Sequence, residues 1–111
     1  MSDPAAVADA YFAAITAHDA DAVAACFAED AVLVTAAGTF EGPAAIAGFY
    51  RDNAFRFEDL RPTPGRFVID GDHLAVEIDL FMGGRHTPVA DFFTVDGDAI
   101  TRLVIYMGPP A

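Results

Sequence analysis

The chain has no lysine, a single cysteine, and only six basic residues, all of them arginine. Each shortage excludes something. Without lysine there is no Schiff base, which removes pyridoxal chemistry and lysine-type aldolase chemistry. Cys26, alone, forms no intrachain disulfide and fits a reducing compartment. Against the six arginines stand 17 acidic residues, a net charge of −11. That balance argues against nucleic acid, whose phosphates need a basic footprint, and against anionic membrane surfaces. No apolar run approaches the ~18 residues of a membrane span. Met1-Ser2-Asp3-Pro4 lacks the basic and apolar regions of a signal peptide, so a cytoplasmic protein is expected. Arginine without lysine in an alanine-rich chain is also the usage of GC-rich bacterial genomes, by association.

What is present suffices for a core. The 111 residues, 54% hydrophobic with 10 Phe, fit one domain over 1–111 with no linker. Acidity with this many aromatics describes a solvated shell rather than disorder.

Ser2 or Asp3 before Pro4 reads as a helix cap with proline in the first turn. Val7, Tyr11, Ala14 and Ile15 recur at helical spacing as far as about His18. Asp19 opens a second, short helix with Val23, Cys26 and Phe27 on one face, ended by Asp30. Ala31 to Thr35 and Thr39 to Glu41 form a small hairpin around Ala36-Ala37-Gly38. Gly42-Pro43 starts a third helix striped by Ile46, Phe49 and Tyr50. From Phe57 the period becomes strand-like. Phe57 to Arg61 reads as a strand that Pro62 and Pro64 break into a bulge or edge, resumed over Phe67 to Asp70. Asp70-Gly71-Asp72 and Asp96-Gly97-Asp98 are hairpin turns. Leu74 to Met82 alternates cleanly, Val89 to Val95 runs back after Gly83-Gly84, and Ile100 to Met107 is the last strand, terminated by Gly108-Pro109-Pro110. Three helices followed by antiparallel strands make an α+β order without crossover units.

Asp91 is the foremost candidate for chemistry. Alternation puts it with Val89, Phe93 and Val95, where a carboxyl escapes the cost of ionisation by staying protonated and donates to a ligand oxygen. Ala90 and Phe92 on the other face are apolar too, so the outward reading stays open. Tyr11 lies one turn from Val7 and Ile15, and a buried phenol needs a partner, which Tyr50 could supply. Two core tyrosines bonded to backbone or water are the alternative. His18 at a helix end caps a dipole; His73 and His86 lie beside turns. None has metal-ligand spacing to another donor. The Asp-Gly-Asp turns lack the rest of a calcium loop, and no phosphate-cradling glycine motif occurs. No metal and no cofactor is expected. Cys26 beside Phe27 reads as core.

Tyr11-Phe12-Ala13-Ala14-Ile15, His18-Asp19-Ala20-Asp21 and Phe27-Ala28-Glu29-Asp30-Ala31 resemble the opening of the nuclear-transport-factor-2-like (SnoaL-like) superfamily. Gly42 to Ile46 with Phe49-Tyr50 resembles its third helix. Asp91 to Val95 with Ile100 to Leu103 resembles its closing hairpin. The resemblance covers nearly the whole chain and implies a cone-shaped α+β barrel, three N-terminal helices on a curved, mainly antiparallel sheet. It is specific for fold far more than for activity.

The pattern most resembles bacterial ketosteroid isomerase, whose pKa logic is taken here from that family. The resemblance implies an oxyanion hole with Tyr11 on the tyrosine, Asp91 on the protonated acid and Tyr50 on a supporting tyrosine. Thr35 falls where the proton-moving carboxylate should be, and a hydroxyl is no base near neutrality without an activating partner. Asp59, by analogy with epoxide-opening relatives, or Asp91, by analogy with SnoaL-type polyketide cyclases, could replace the base; Asp91 is favoured. The expected cavity has strand walls of Val76, Ile78, Leu80, Leu103 and Ile105. Phe27, Phe49 and Tyr50 come from the helices.

Three functions compete: an isomerase or cyclase-type lyase acting beside a carbonyl in a hydrophobic small molecule, a module that binds such a ligand without turnover, and a scaffold. The outer sheet face, with Glu77, Asp79, Phe81, Phe92, Val104 and Tyr106, lacks a helix to cover it and is expected to form a homodimer.

Overall fold

A computed structural model describes residues 3–109. Ser2 as an alternative cap, and Pro110 in the terminating sequence, lie outside the described residues. Three helices come first or nearly so: α1 (Pro4–Thr16), α2 (Ala20–Ala25) and α3 (Gly42–Asp52). Asp3 caps α1 by accepting from the Ala6 amide, and Asp19 caps α2 by accepting from Ala22. Both carboxylates satisfy amides that the first turn leaves without a partner.

The strands are β1 (Phe27–Thr35), β2 (Gly38–Glu41), β3 (Arg61–Asp70), β4 (His73–Met82), β5 (Arg85–Asp96) and β6 (Ala99–Met107). They form one sheet in the order β2-β1-β6-β5-β4-β3. All neighbours are antiparallel except β1 and β6. The sheet is curved and unclosed, so the barrel is open and β2 and β3 are its edges. Helix α1 packs on β3, β4 and β5, while α3 packs on α2, β1 and β2. Between helices and sheet lies a core that includes Leu33, Ile46, Leu74, Phe93, Ile100 and Leu103.

Two local expectations are corrected. The second helix does not continue to Asp30: it stops at Ala25, and Phe27 starts β1. The Ile100 amide donates to the Cys26 carbonyl and Phe27 pairs with Ile100, so parallel pairing captures a stretch that local propensity would leave helical. The second correction concerns Phe57 to Arg61. One 3-10 turn (Ala54–Arg56) and further turn residues fill the chain up to Leu60, and β3 begins only at Arg61. Pro62 and Pro64 therefore lie within β3, where an edge strand tolerates their missing amides. The register shifts between Pro64 and Phe67, beside Gly65, where an added Cβ would come within 3.2 Å of the Glu77 carbonyl.

On the outer face Glu77 and Asp79 are exposed and Phe81 is half-buried. Phe92 and Tyr106 are 49% and 61% exposed, but Val104 is buried at 4%. It lies in register between Val34 and Phe92, whose side chains stand directly across the ladder.

The caps give a direct test. Asp19→Ala and Asp3→Ala should each lower the unfolding free energy by about 1 kcal/mol, and the Asn variants should retain most of it. Urea denaturation reads the difference; equal losses for Ala and Asn would remove the capping role.

Candidate functional site

Strand β5 decides where Asp91 points. Thr87, Val89, Asp91, Phe93 and Val95 are buried, and the residues between them are exposed or half-buried. Asp91 faces inward at 3% exposure, opposite Val76 on β4 and Ile105 on β6. Its Oδ1 atom is buried and has no hydrogen-bond partner among the described residues. An unsatisfied buried polar atom costs about 1–3 kcal/mol, so its persistence calls for an explanation. Burial also pushes the Asp91 pKa up to about 8. At neutral pH the group is mainly a carboxylic acid, able to donate.

Tyr11 and Tyr50 reach the same cavity from α1 and α3, each 3% exposed, with their hydroxyls hydrogen-bonded to each other. Burial, then the neighbouring Tyr50 and Asp91, hold the Tyr11 phenol well above its ordinary pKa; burial also raises Tyr50. The Tyr11 ring is fixed edge-on by Phe12, Phe27 and Phe93, with centroids 5.2, 6.1 and 5.5 Å away.

These groups open into a cavity of about 300 Å3. Ile78, Leu80, Ile105 and Phe49 line it, together with Tyr11, Tyr50, Asp91 and Thr35. Phe27, Val76 and Leu103 do not: Phe27 packs behind Tyr11, and all three are buried in the core. The sequence reading missed Phe12 and Ile15 on α1, and Met82, Val89 and Met107 on the strands. Those strand positions share the inward parity of Leu80, Asp91 and Ile105, so extending the alternation would have found them. Asn53, Ala54, Phe57 and Leu60 also line the cavity, from a segment with no period to read.

Two positions considered for a base behave differently. Thr35 lines the cavity, but its Oγ1 accepts from the Ala37 amide at 3.0 Å and lies 3.5 Å from the Gly38 carbonyl, to which it donates. It closes its own turn. Asp59 lies outside the cavity: its exposed carboxylate accepts from the amides of Gly83 at 2.9 Å and Gly84 at 2.7 Å. Those bonds hold its pKa below the ordinary carboxylate value. His18 adopts φ +53, stacks on Phe55 and donates Nε2–H to the Leu60 carbonyl at 2.8 Å. It fastens the loop instead of capping a helix. His86 pairs with Asp79 at 3.0 Å, and His73 lies 3.3 Å from Thr94. Cys26 is half-buried, its thiol raised by burial and directed to the Ala22 carbonyl. Among the described residues no cluster of His, Cys, Asp and Glu could hold a metal, and no helix is long and apolar enough to cross a membrane.

The family model for the SnoaL-like domain matches residues 8–103. The chain belongs to the SnoaL-like domain family. Its NTF2-like fold recurs in solved structures. A hypothetical protein with a ketosteroid isomerase-like fold from Catenulispora acidiphila, in complex with trimethylamine, is 26% identical (TM-score 0.81, 90% of this chain, 83% of that one). A proposed polyketide cyclase from Sinorhizobium meliloti is 25% identical (TM-score 0.80, 91% and 94%). A proposed ketosteroid isomerase from Kribbella flavida, 23% identical (TM-score 0.83, 94% and 76%), shares the fold. A search of curated proteins gives no match.

In this SnoaL-like cavity the Asp91 acid imposes a pH signature. An ordinary aspartate ionises near pH 3.8, whereas Asp91 holds its proton to about pH 8. Between those values the unfolded chain binds fewer protons, so rising pH removes stability, by at most ~1.4 kcal/mol per pH unit. Asp91→Asn lacks this loss. Its stability relative to wild type should climb from about pH 4 to 8 and level off above. A difference that stays flat in urea denaturation would mean an ordinary carboxylate.

Proposed function

We propose that the cavity takes an apolar small molecule bearing a carbonyl, and that Asp91 moves the proton next to that carbonyl. The observation that carries the reading is the buried Oδ1 of Asp91, unpartnered among the described residues, in a residue that lines a mainly apolar cavity, with the Tyr11–Tyr50 pair lining it from the helices. With its pKa near 8, roughly a tenth of Asp91 is ionised at pH 7. That carboxylate takes a proton from the carbon beside the carbonyl, and the C–H electron pair moves into the enolate. Tyr11, its hydroxyl linked to Tyr50, donates to the enolate oxygen. Asp91 then returns the proton to another carbon of the conjugated system. Isomerase and cyclase-type lyase chemistry both fit this sequence, and neither calls for a cofactor. Family membership supports the ligand class, since the neighbours include a proposed polyketide cyclase and a proposed ketosteroid isomerase.

Binding without turnover is the second reading, favoured by Thr35 and Asp59. With Thr35 closing its turn and Asp59 outside, no second carboxylate among the described residues lines the cavity, and protonated Asp91 simply donates to a ligand oxygen. Turnover separates the two. Thr35→Asp should raise isomerisation of a 3-oxo-Δ5 steroid by about 10²–10⁴, because it adds a base while Asp91 serves as acid. The conjugated enone product is followed by its ultraviolet absorbance. A variant that folds and binds the steroid yet gains nothing removes the isomerase assignment.

Assembly belongs to the same proposal: a single cytoplasmic domain that pairs two-fold, sheet to sheet. One register row of the outer face reads Val68, Ala75, Phe92, Val104 and Val34 across five strands. Phe92 and Tyr106 meet edge-on beside it with centroids 5.7 Å apart. Glu77, Asp79 and Arg102 surround the row with charges of both signs, which two-fold copies satisfy reciprocally. Light scattering at micromolar concentration should give twice 11.7 kDa, and Phe92→Glu or Tyr106→Glu should give the monomer. A wild-type monomer would refute the interface.

A further inference from the structure

We infer that the cavity is also a site for an alkylammonium cation, held by the Asp91 carboxylate within a surround of aromatic rings. The inference goes beyond the carbonyl reading, although it uses the same cavity. Five rings line that cavity: Tyr11, Phe12, Phe49, Tyr50 and Phe57. Aromatic faces carry negative electrostatic potential and attract cations, quaternary ammonium above all, when water is excluded. Among the described residues no arginine or histidine lines the cavity, so they offer Asp91 no counter-charge. A hydrocarbon ligand would leave the Asp91 Oδ1 atom as it is, buried and without a partner. A carbonyl satisfies the acid form. An alkylammonium satisfies the ionised form, and its methyl or methylene groups pack on the rings.

Magnitudes favour the cation. With a pKa about 8, ionising Asp91 at pH 7 costs roughly a factor of ten in population. A positive charge within about 4–6 Å favours a carboxylate by 1–3 pKa units, roughly 10- to 1000-fold. The ligand therefore repays the cost of ionisation. The remaining charges of the protein act in the same direction, since a net −11 concentrates cations at the surface. Facing Asp91 from the other elements are Tyr11 on α1 and Tyr50 on α3, both raised above the ordinary phenol pKa. Across the ladders stand Val76 on β4 and Ile105 on β6. Cys26, at the end of α2, is raised above 9.0. Among these groups only Asp91 changes charge between pH 6 and 9.

The test uses three probes by equilibrium titration from pH 6 to 9: benzyltrimethylammonium, whose charge is permanent, neopentylbenzene, its neutral carbon isostere, and 1-tetralone, a neutral ketone. Benzyltrimethylammonium should bind about tenfold tighter per pH unit up to about pH 8 and then level off, because binding releases the Asp91 proton. Neopentylbenzene should show no such slope, and 1-tetralone should weaken above about pH 8. At pH 8.5 Asp91→Asn should weaken the cation on the order of 100-fold and leave the isostere unchanged. If that variant fails to fold, the wild-type pH profile decides. Equal, pH-independent affinities for the cation and its isostere overturn the inference, as does a cavity that binds 1-tetralone and not the cation. Either result leaves the carbonyl reading standing. Cation binding without 1-tetralone sinks the carbonyl reading alone, and failure of all three probes overturns both.

Discussion

A buried carboxyl oxygen without a hydrogen-bond partner among the described residues, in a residue lining a mainly apolar cavity, is the constraint from which the other properties of the site follow. Removing Asp91 from water costs more for its charged form than for its neutral form, and among the described residues no cation on the wall offsets the difference. The acid form is therefore the resting form near neutrality. Its buried Oδ1 has no hydrogen-bond partner among the described residues, which leaves that capacity to a ligand. Surface aspartates such as Asp59 illustrate the contrast: two backbone amides take up its oxygens and move its pKa the opposite way. The same side-chain chemistry thus gives a latch in one place and a ligand-seeking group in another, and burial makes the difference.

The tyrosine pair is the second consequence of that constraint. Tyr11 and Tyr50 arrive from helices that do not adjoin in sequence, and their hydroxyls bond to each other. Phenols buried beside a carboxyl resist ionisation, so they remain hydrogen-bond donors over the whole physiological range. Phe27 and Phe93 keep the Tyr11 ring from turning away. The rigidity of the donor end comes from aromatic packing in the core, and the chemistry of the cavity rests on residues that never touch its contents.

Most of this was legible in sequence because period-two alternation and helical spacing carry it. The alternation of β5 placed Asp91 with Val89, Phe93 and Val95, and the i, i+4 series on α1 placed Tyr11 between Val7 and Ile15. What pattern alone left open was which face of β5 is wet, since Ala90 and Phe92 are apolar as well. Only the helices lying on one side of the sheet answer that. Phe27 was misplaced because a helix-forming stretch is captured by parallel pairing with β6, a contact more than seventy positions away in the chain. Phe57 and Leu60 were out of reach for the opposite reason, having no regular period at all. Depth was a third limit. Alternation tells inward from outward but does not tell core from cavity, which is how Val76 and Leu103 came to be grouped with Ile78 and Ile105.

The segment from Asn53 to Leu60, like the Ala36-Ala37 turn, is a part of the cavity wall built from neither long helix nor strand. It is held by two exterior fastenings, Asp59 on Gly83–Gly84 and His18 on the Leu60 carbonyl. Neither fastening contributes a ladder bond to the sheet. An exchange at its exposed residues would alter that wall and leave the strand registers as they are, whereas Phe55, with its ring centroid 5.6 Å from that of Tyr50, ties the segment to the tyrosine pair. The fold thus separates a chemical end built on helices and strands from a wall segment built on turns, whose exposed residues can change without touching a strand ladder.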